Sequence, residues 1–314
     1  MRSMRGLELC EAFYHEYGEP MLKARFPSLL PHIAVGLAGS GSECYGFDDE
    51  ISRDHDFDAN FCIFLPDEAT VSRHDAFRLE RELSALPKEF QGHRRMLLAP
   101  TGGARRGVLR LGDFLQEKTG TPDGILTPKD FFFLPETALA EVTNGKLFHD
   151  GNGQFTAIRE ALSHLPEDVR RKKLAGALLL MGQAGQYNYP RSLARGDTAA
   201  AQLSVIEFVK HAIHSVLLLH KTYLPYYKWQ FRALSKVSPL AEKLEFLISS
   251  PNNKRIAKEK NAYIEEIAAS VRALLFMEGL SARDDNNLEA HAYAVNDKIA
   301  SPEIRNLHIL YGVS

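Results

Sequence analysis

The change in hydrophobic period along the chain constrains the fold more than any other feature. From residue 158 to residue 278 the apolar residues recur at helical spacing, without a convincing strand between them. Before that region, short apolar and β-branched runs alternate with helical patterns. This contrast predicts an α+β protein, with a mixed sheet and flanking helices in residues 1–152 and an all-α helical bundle in residues 153–314. The predicted boundary falls at the Gly151-Asn152-Gly153 sequence.

The predicted elements follow from apolar spacing and from the glycine and proline residues that interrupt it. Predicted strands lie at residues 33–37, 61–65, 95–98, 107–111 and 146–150. A first helix is predicted from residue 7 to the region of Gly18 and Pro20, and others lie at residues 67–86 and 131–142. In the second half, helices are predicted at residues 169–181, 199–223, 240–248 and 257–278.

Composition narrows the expected partners. The 314 residues carry 25% charged side chains and a net charge of −2, so the chain lacks the strong positive charge typical of nucleic-acid binders. A small-molecule substrate is therefore expected, and the oligomeric state stays open. Cys10, Cys44 and Cys62 form neither a metal-binding spacing nor an even disulfide set, which predicts inert thiols in a reducing compartment.

The N-terminus and the apolar runs predict the location of the protein. Residues 1–5 are basic, but Glu8 and Glu11 interrupt any signal-peptide core. The longest uninterrupted apolar runs are shorter than a membrane span. We therefore expect a soluble cytoplasmic protein that does not bind membranes.

A glycine-rich stretch, Gly39-Ser40-Gly41-Ser42, directly follows the first predicted strand. Glycine reaches positive φ values and lets the backbone approach a ligand closely. Ser40 and Ser42 add hydroxyl groups and backbone N–H groups at a predicted helix start, where phosphate oxygens bind well. The stretch predicts a phosphate-binding turn.

Three carboxylates, Asp54, Asp56 and Asp58, precede the strand predicted at residues 61–65. Side chains alternate along a strand, so the three would share one face. Like charges at that distance repel one another, and a cation would relieve the repulsion. Oxygen ligands suit Mg²⁺, which usually also binds substrate phosphates. Beside a phosphate-binding turn this predicts chemistry on a nucleoside triphosphate such as ATP, and a solvated acidic turn is the alternative.

These residues carry a resemblance. Gly41-Ser42, eleven further residues and then Asp54-x-Asp56 resemble the signature of the polymerase-β-like nucleotidyltransferase superfamily. The surrounding sequence is similar to a bacterial nucleotidyltransferase-like family of unknown substrate. The resemblance implies that Asp54 and Asp56 hold two Mg²⁺ ions, with Mn²⁺ as a substitute, and that Ser42 contacts the triphosphate. It implies transfer of a nucleoside monophosphate to an acceptor hydroxyl, with release of pyrophosphate.

The chain departs from this signature at one position. The superfamily usually has an apolar residue between the paired acids, where this chain has His55. Asp56-Phe57-Asp58 does have an apolar centre, so Asp58 remains an alternative partner of Asp56. His55-Asp56 is also the dyad of HD-type metal-dependent phosphohydrolases, which need further histidines and an acid from successive helices. A third alternative is a catalytically inactive module that binds a nucleotide.

Asp113 follows the strand predicted at residues 107–111. The resemblance implies that a later strand supplies a third acid, as metal ligand or general base, and Asp113 is the candidate. Aspartate is also favoured as a helix N-cap. Both roles stay open at this stage.

The helical half is similar in layout to aminoglycoside and related small-molecule nucleotidyltransferases, in which a helical domain walls the acceptor pocket. A polar connection at residues 182–197 offers hydrogen-bonding groups for such an acceptor. The candidate acceptor-binding residues are Gln183, Tyr187, Asn188 and Arg195. Arg191 and Lys228 are candidates for neutralising the triphosphate. The alternative is that all these side chains cap and pack helix ends.

His211 and His214 lie one helical turn apart among apolar residues. No carboxylate stands at ligand spacing between them, so a structural role is favoured over metal binding.

Overall fold

The computed structural model describes residues 4–51, 59–95, 106–251 and 254–313. The backbone contacts divide the chain into two units. The first, called the sheet unit below, comprises Met1–Leu126 and Ala138–Ser163. The second, called the helical unit, comprises Thr127–Thr137 and His164–Ser314. The boundary predicted between residues 152 and 153 therefore falls inside the sheet unit.

The strands are short and belong to the sheet unit. They are β1 (Ala34–Leu37), β2 (Cys62–Leu65), β3 (Glu89–Phe90), β4 (His93–Arg94), β5 (Gly107–Arg110) and β6 (Lys146–Asp150). Four of them form a mixed sheet in the order β5-β2-β1-β6, and β3 and β4 form a separate two-stranded pair. Strand β1 is antiparallel to β2 and β6, whereas β2 and β5 are parallel. The predicted α+β class is confirmed.

Helices account for most of the remaining described chain. In the first half they are α1 (Gly6–Phe13), α2 (Glu19–Arg25), α3 (Ser42–Tyr45), α4 (Arg73–Ala85), α5 (Leu111–Thr119), α6 (Asp130–Phe133), α7 (Glu136–Thr143) and α8 (Gln154–Ala161). In the second half they are α9 (Glu167–Met181), α10 (Tyr189–Ala194), α11 (Thr198–Leu219), α12 (Gln230–Val237), α13 (Leu240–Ser249), α14 (Lys254–Met277), α15 (Leu288–Asp297) and α16 (Pro302–Arg305).

The core of the sheet unit explains why α8 belongs to it. Phe155 of α8 is fully buried, with its ring centroid 4.8 Å from that of Phe64 on β2. Phe114 of α5 lies 5.4 Å from Phe64 on the same side. Burying one such side chain contributes about 1.5–3 kcal/mol. The glycine residues near residue 152 are thus an internal turn of this unit.

The first helical segment runs further than the sequence predicted. A π-helical turn, Tyr14–Gly18, links α1 to α2, and the helical path continues through Pro20 to Arg25. Pro20 stands in the first turn of α2, where the missing N–H costs little. Gly18 lies against the ring of Phe61, which leaves no room there for a side chain.

Two other predicted elements also differ. The predicted helix at residues 131–142 is two helices, α6 and α7, because Pro135 holds Leu134 in an extended conformation. The predicted strand at residues 95–98 falls largely outside the described residues, and Arg95, its first residue, is not in a strand. The strands predicted near residues 33–37, 61–65, 107–111 and 146–150 are confirmed.

Helix α11 is the central helix of the helical unit and packs against α9, α10 and α13. Its length and apolar composition would by themselves allow a membrane span, which the sequence did not anticipate. Of the most apolar stretch of this helix, 67% is buried inside the protein. This burial is typical of the core helix of a globular unit.

Candidate functional site

The strand pairing gathers several connections at one edge of the sheet. Because β1 is antiparallel to β2 and β6, and β2 is parallel to β5, the end of β1 lies beside the starts of the other three strands. The paired residues at this edge are Gly36 with Cys62, Leu37 with Lys146, and Cys62 with Gly107. The turn at residues 39–42 follows β1 here. We call this the turn edge.

Asn144 holds the glycine-rich turn in place. Gly39 has φ of 129°, in the region that favours glycine. Its N–H donates to Oδ1 of Asn144 (3.0 Å), and its carbonyl accepts from Nδ2 of Asn144 (2.7 Å). The next residue, Gly145, donates its N–H to the carbonyl of Cys44 (2.9 Å). The turn is thus fixed by the connection between α7 and β6, which the sequence indicated only as a helix stop.

An ion pair stands beside the turn. Nη2 of Arg106 lies 2.6 Å from Oε1 of Glu43, and the two side chains are 10% and 13% exposed. The hydroxyl of Ser42 donates a long hydrogen bond, 3.5 Å, to the other carboxylate oxygen. A Cβ at Gly41 would meet this carboxylate, so a larger residue there would require the Glu43 side chain to move. The turn therefore presents backbone N–H groups next to a carboxylate whose charge is compensated by an arginine.

Asn60, at the start of β2, is fully buried. Its Oδ1 accepts from the N–H of Phe61 (3.0 Å) and from Nη2 of Arg95 (3.5 Å). Its Nδ2 has no hydrogen-bond partner in the part of the chain that the structure describes. A buried amide donor thus stands just after the acidic sequence at residues 54–58.

The predicted metal ligands are not among the residues that the structure describes. Asp54 and Asp56, with His55 and Asp58, lie outside the described residues, so their role stays a prediction. Within residues 4–51, 59–95, 106–251 and 254–313, no group of three or more His, Cys, Asp or Glu residues could hold a metal ion.

The structure contradicts the helix-cap role predicted for Asp113, and its role as a third acid stays a prediction because Asp54 and Asp56 are not described. Asp113 is exposed in the first turn of α5, whose N-cap is Arg110, so Asp113 is not the cap. Strand β5 starts at the turn edge and runs away from it, and Asp113 follows its far end. Asp113 is therefore separated from the glycine turn by the length of β5, and we do not count it among the residues of the turn edge.

The three cysteines lie in the sheet unit, are buried and are not joined in disulfides. Burial raises the pKa of the Cys62 thiol to about 12, and raises the pKa of the Cys10 and Cys44 thiols as well. The protonated thiol is a poor nucleophile and a poor metal ligand. This agrees with the inert role predicted for them.

The helical unit contains a pocket of about 710 Å³, within the range of small-molecule sites. It is lined by Gly182, Gln183, Gln186, Tyr187, Asn188, Glu265, Asn286, Asn287 and Glu289. Three of the four predicted acceptor-binding residues are among them, and Arg195 is not. The predicted polar connection is in fact helical, because the π-helix Gly182–Asn188 continues α9 into α10. Such π-helical turns occur frequently at functional sites.

Gln186 fixes one wall of this pocket. Its Nε2 donates to both carboxylate oxygens of Glu265, each at 3.2 Å, and to the carbonyl of Asn286 at 2.8 Å. Its Oε1 accepts from the N–H of Leu288 at 3.1 Å. The amide therefore joins the π-helix to α14 and to the start of α15, and its orientation is set by these contacts.

The predicted triphosphate-binding cations lie outside the pocket lining. The guanidinium carbon of Arg191 is 4.5 Å from the ring centroid of Tyr187. The ammonium group of Lys228 is 4.9 Å from the ring centroid of Trp229. Both side chains are exposed and belong to the helical unit. Each contact is a cation–π interaction, which is compatible with the packing alternative.

Sequence patterns missed a buried charge cluster around Glu136. Its Oε1 lies 2.9 Å from Nε2 of His214 and 3.2 Å from Nζ of Lys173, and its Oε2 accepts from the N–H of Leu224 at 3.0 Å. Burial alone would raise the pKa of Glu136, but the charges of His214 and Lys173 hold it down to about 2. His214 is thus a structural partner, as predicted. The contact of His214 with Glu136 could not be predicted from local sequence patterns, because the two residues are far apart in the chain.

The comparisons with known proteins identify no activity. A family model described as "Domain of unknown function (DUF4037)" matches residues 131–230, which is less than half of the chain. No curated protein matches the chain. The matched region includes the π-helix and His214 but not the glycine turn at residues 39–42.

Proposed function

We propose that this chain transfers a nucleoside monophosphate from a nucleoside triphosphate, such as ATP, to a hydroxyl group of a small-molecule acceptor in the cytoplasm, releasing pyrophosphate. The observation that carries the proposal is the turn edge. Pairing of Gly36 with Cys62 brings the start of β2 beside the glycine turn. Asp54 and Asp56 shortly precede that start in the sequence, so the proposal has the two halves of the motif act at this edge.

The turn is the proposed phosphate-binding element. Backbone N–H groups and the hydroxyls of Ser40 and Ser42 would bind phosphate oxygens. The two hydrogen bonds from Asn144 to Gly39 hold the turn in its shape before a ligand arrives. Donors that are already oriented need no reorganisation during reaction, which is the main source of electrostatic catalysis.

The positive charge of Arg106 would allow an anion to bind at the turn. Glu43 alone would repel a triphosphate at this position. The Arg106 guanidinium, 2.6 Å away, offsets that charge in a site with little solvent. We infer that the pair keeps the local charge near zero until phosphate binds.

The donor set fits Mg²⁺, with Mn²⁺ as a substitute. Asp54 and Asp56 would hold the metal through carboxylate oxygens, the ligands that Mg²⁺ prefers. The Nδ2 of Asn60, which has no partner among the described residues, suits a hydrogen bond to one of these acids, as is common for residues that orient metal ligands. When bound, the metal would neutralise charge on the transferred phosphate.

The acceptor is assigned to the pocket of the helical unit, where Gln183, Tyr187 and Asn188 offer amide and phenol groups. Arg195 does not line the pocket, so an acceptor contact there needs separate support. Arg191 and Lys228 stay candidates for binding the triphosphate.

The proposal is tested with the full-length chain, Mg²⁺, a panel of nucleoside triphosphates and a panel of hydroxyl acceptors. We expect acceptor-dependent release of pyrophosphate, abolished in the Asp54→Asn, Asp56→Asn double variant. Asp113→Asn is the matched control, because it removes an exposed carboxylate elsewhere in the sheet unit, and it should retain activity.

The other outcomes distinguish the alternatives. Acceptor-independent hydrolysis would favour the HD-type phosphohydrolase. Stabilisation by Mg²⁺ and triphosphate without turnover would favour an inactive binding module, and a ligand at 100 times its Kd stabilises by about 2.7 kcal/mol. Loss of activity in Asp113→Asn would contradict our assignment of the site to the turn edge.

A further inference from the structure

The pocket of the helical unit has an uncompensated negative charge. Its lining includes two carboxylates, Glu265 of α14 and Glu289 of α15, and no lysine or arginine. Neither glutamate forms an ion pair with any residue in the described part of the chain. Two nearby arginines are engaged elsewhere, Arg283 with Asp285 at 2.6 Å and Arg272 with the carbonyl of Asp284.

Hydrogen-bond acceptors at this pocket have unused capacity. Oδ1 of Asn286 is buried and has no donor among the described residues. The Gln186 amide is already committed to Glu265 and to the Asn286 carbonyl. A carboxylate accepts about four hydrogen bonds, so Glu265 retains capacity beyond this one amide. A ligand that brings N–H donors would bind the remaining lone pairs of Glu265 and Glu289, whereas an anionic ligand would be repelled by these carboxylates.

The walls of the pocket are held together before any ligand binds. A Cβ at Gly182 would lie 3.2 Å from the backbone nitrogen of Glu289, so the π-helix and the start of α15 are in close contact. The hydrogen bond from Leu288 to Gln186 joins the same two elements. A site that is already ordered loses less conformational entropy on binding.

We propose that this pocket binds a small organic ammonium compound. Its ammonium groups bind Glu265 and Glu289, and its uncharged part lies against Tyr187 and the neutral amides. Tyr187 is 55% exposed, and its ring offers a surface to methylene groups. Arg191, which contacts this ring from outside the lining, limits how far a positive charge extends in that direction. The inference concerns binding alone and does not rest on nucleotidyl transfer.

The test uses the full-length chain without nucleotide and measures heats of binding at low ionic strength. The probes are spermidine, triethylene glycol as an uncharged chain of similar length, and citrate as an anion. We expect one spermidine per chain, at least tenfold tighter than the glycol, and no binding of citrate. Added salt should weaken spermidine binding because the carboxylates are partly exposed. Equal affinity for spermidine and the glycol, or preference for citrate, overturns the proposal.

Matched variants separate the pocket from diffuse attraction to an acidic protein. Glu265→Gln with Glu289→Gln should weaken spermidine binding at least tenfold. The control is Glu266→Gln with Glu303→Gln, which makes the same change in net charge outside the pocket lining. It should alter the affinity by less than twofold. Equal losses in both double variants would overturn the proposal.

A variant with one substitution, at an exposed residue, tests the proposal if the double variants do not fold. Glu289 is exposed, so Glu289→Lys should leave the melting temperature close to that of the wild type. It should still abolish spermidine binding, because it places an ammonium group of the protein in the pocket. Retained affinity in a folded Glu289→Lys protein would also overturn the proposal.

Discussion

Glu43 in the sheet unit and Glu136 in the helical unit are both largely buried, but their surroundings differ. Glu136 is surrounded by His214, Lys173 and a backbone N–H, so its charge and its lone pairs are well satisfied. Among the described residues Glu43 has one cationic partner, Arg106, and it lies beside a glycine turn with its side chain 13% exposed. The difference teaches that a fully satisfied carboxylate serves the fold, whereas a singly paired one at an open turn can respond to a ligand.

The largest expected effect tests the structural side of this comparison. Glu136→Gln leaves Lys173 buried without its anion and should cost about 3–5 kcal/mol of unfolding free energy. Urea denaturation followed by the fluorescence of Trp229, the only tryptophan, reports on the helical unit. Glu207→Gln, a half-exposed acid on α11, is the control and should cost less than about 0.5 kcal/mol. A loss of less than 1 kcal/mol in Glu136→Gln would show that the cluster does not hold this unit together.

The next effect is a loss of folding stability at acidic pH. Burial lowers the pKa of His211 to about 4, against a weaker opposing influence of Glu207. Between pH 6.5 and 4 the unfolded histidine therefore binds a proton that the folded one does not, so stability falls as the pH falls, by up to about 3 kcal/mol. The contribution of Glu136, with a folded pKa of about 2, is full above its unfolded pKa and is lost only at lower pH.

The variant His211→Gln should flatten this loss. Urea midpoints at pH 7 and pH 4.5, again followed by Trp229, should differ less in the variant than in the wild type. Identical shifts in the two proteins would assign the acid sensitivity to another group.

A smaller effect tests the ligand-responsive side. Glu43→Gln removes the carboxylate that pairs with Arg106, but the pair retains some solvent contact, so we expect a loss of about 2 kcal/mol. Pyrophosphate should then raise the melting temperature of the variant more than that of the wild type, because an anion can replace the missing carboxylate beside Arg106. If pyrophosphate stabilises both proteins equally, the Glu43–Arg106 pair is structural in the same sense as the Glu136 cluster.

The smallest effect concerns Asn144. Asn144→Ala removes two hydrogen bonds to Gly39 at a half-buried site, and about 1–2 kcal/mol of stability should be lost. Acceptor-dependent pyrophosphate release should fall by a larger factor than stability predicts, because the turn loses its fixed shape. Asn152→Ala, in an exposed turn of the same unit, serves as the comparison. Unchanged turnover in Asn144→Ala would separate this turn from the reaction.

Local sequence patterns predicted the helices and strands better than they predicted the contacts between them. The strand at residues 146–150 was placed to the residue, because a helix stop precedes it and an apolar run marks it. The contact of Asn144 with Gly39 could not be predicted in this way, since 105 residues separate them and only strand pairing brings them together. The position of Asp113 could not be predicted for the same reason, because its distance from the turn depends on the direction of β5 in the sheet.

The helical half shows a different limit. Polar residue types singled out Gln183, Tyr187 and Asn188, which line the pocket, but the glycines among them suggested a loop. The structure has a π-helix there, in which Gly185 lies against the ring of Phe208 and Gly182 against α15. These glycines permit close packing, a role that sequence alone does not separate from turn formation.

The segment Thr127–Thr137 belongs to the helical unit, although the chain on both sides of it belongs to the sheet unit. During synthesis, β6 and the buried Phe155 therefore emerge only after part of the other unit has left the ribosome. The sheet cannot be completed by the N-terminal piece alone, and a gene fragment ending at residue 153 would encode a sheet unit without α8. Neither unit corresponds to one uninterrupted stretch of coding sequence. Exchange of one unit between related genes would therefore require three junctions, near residues 126, 137 and 163.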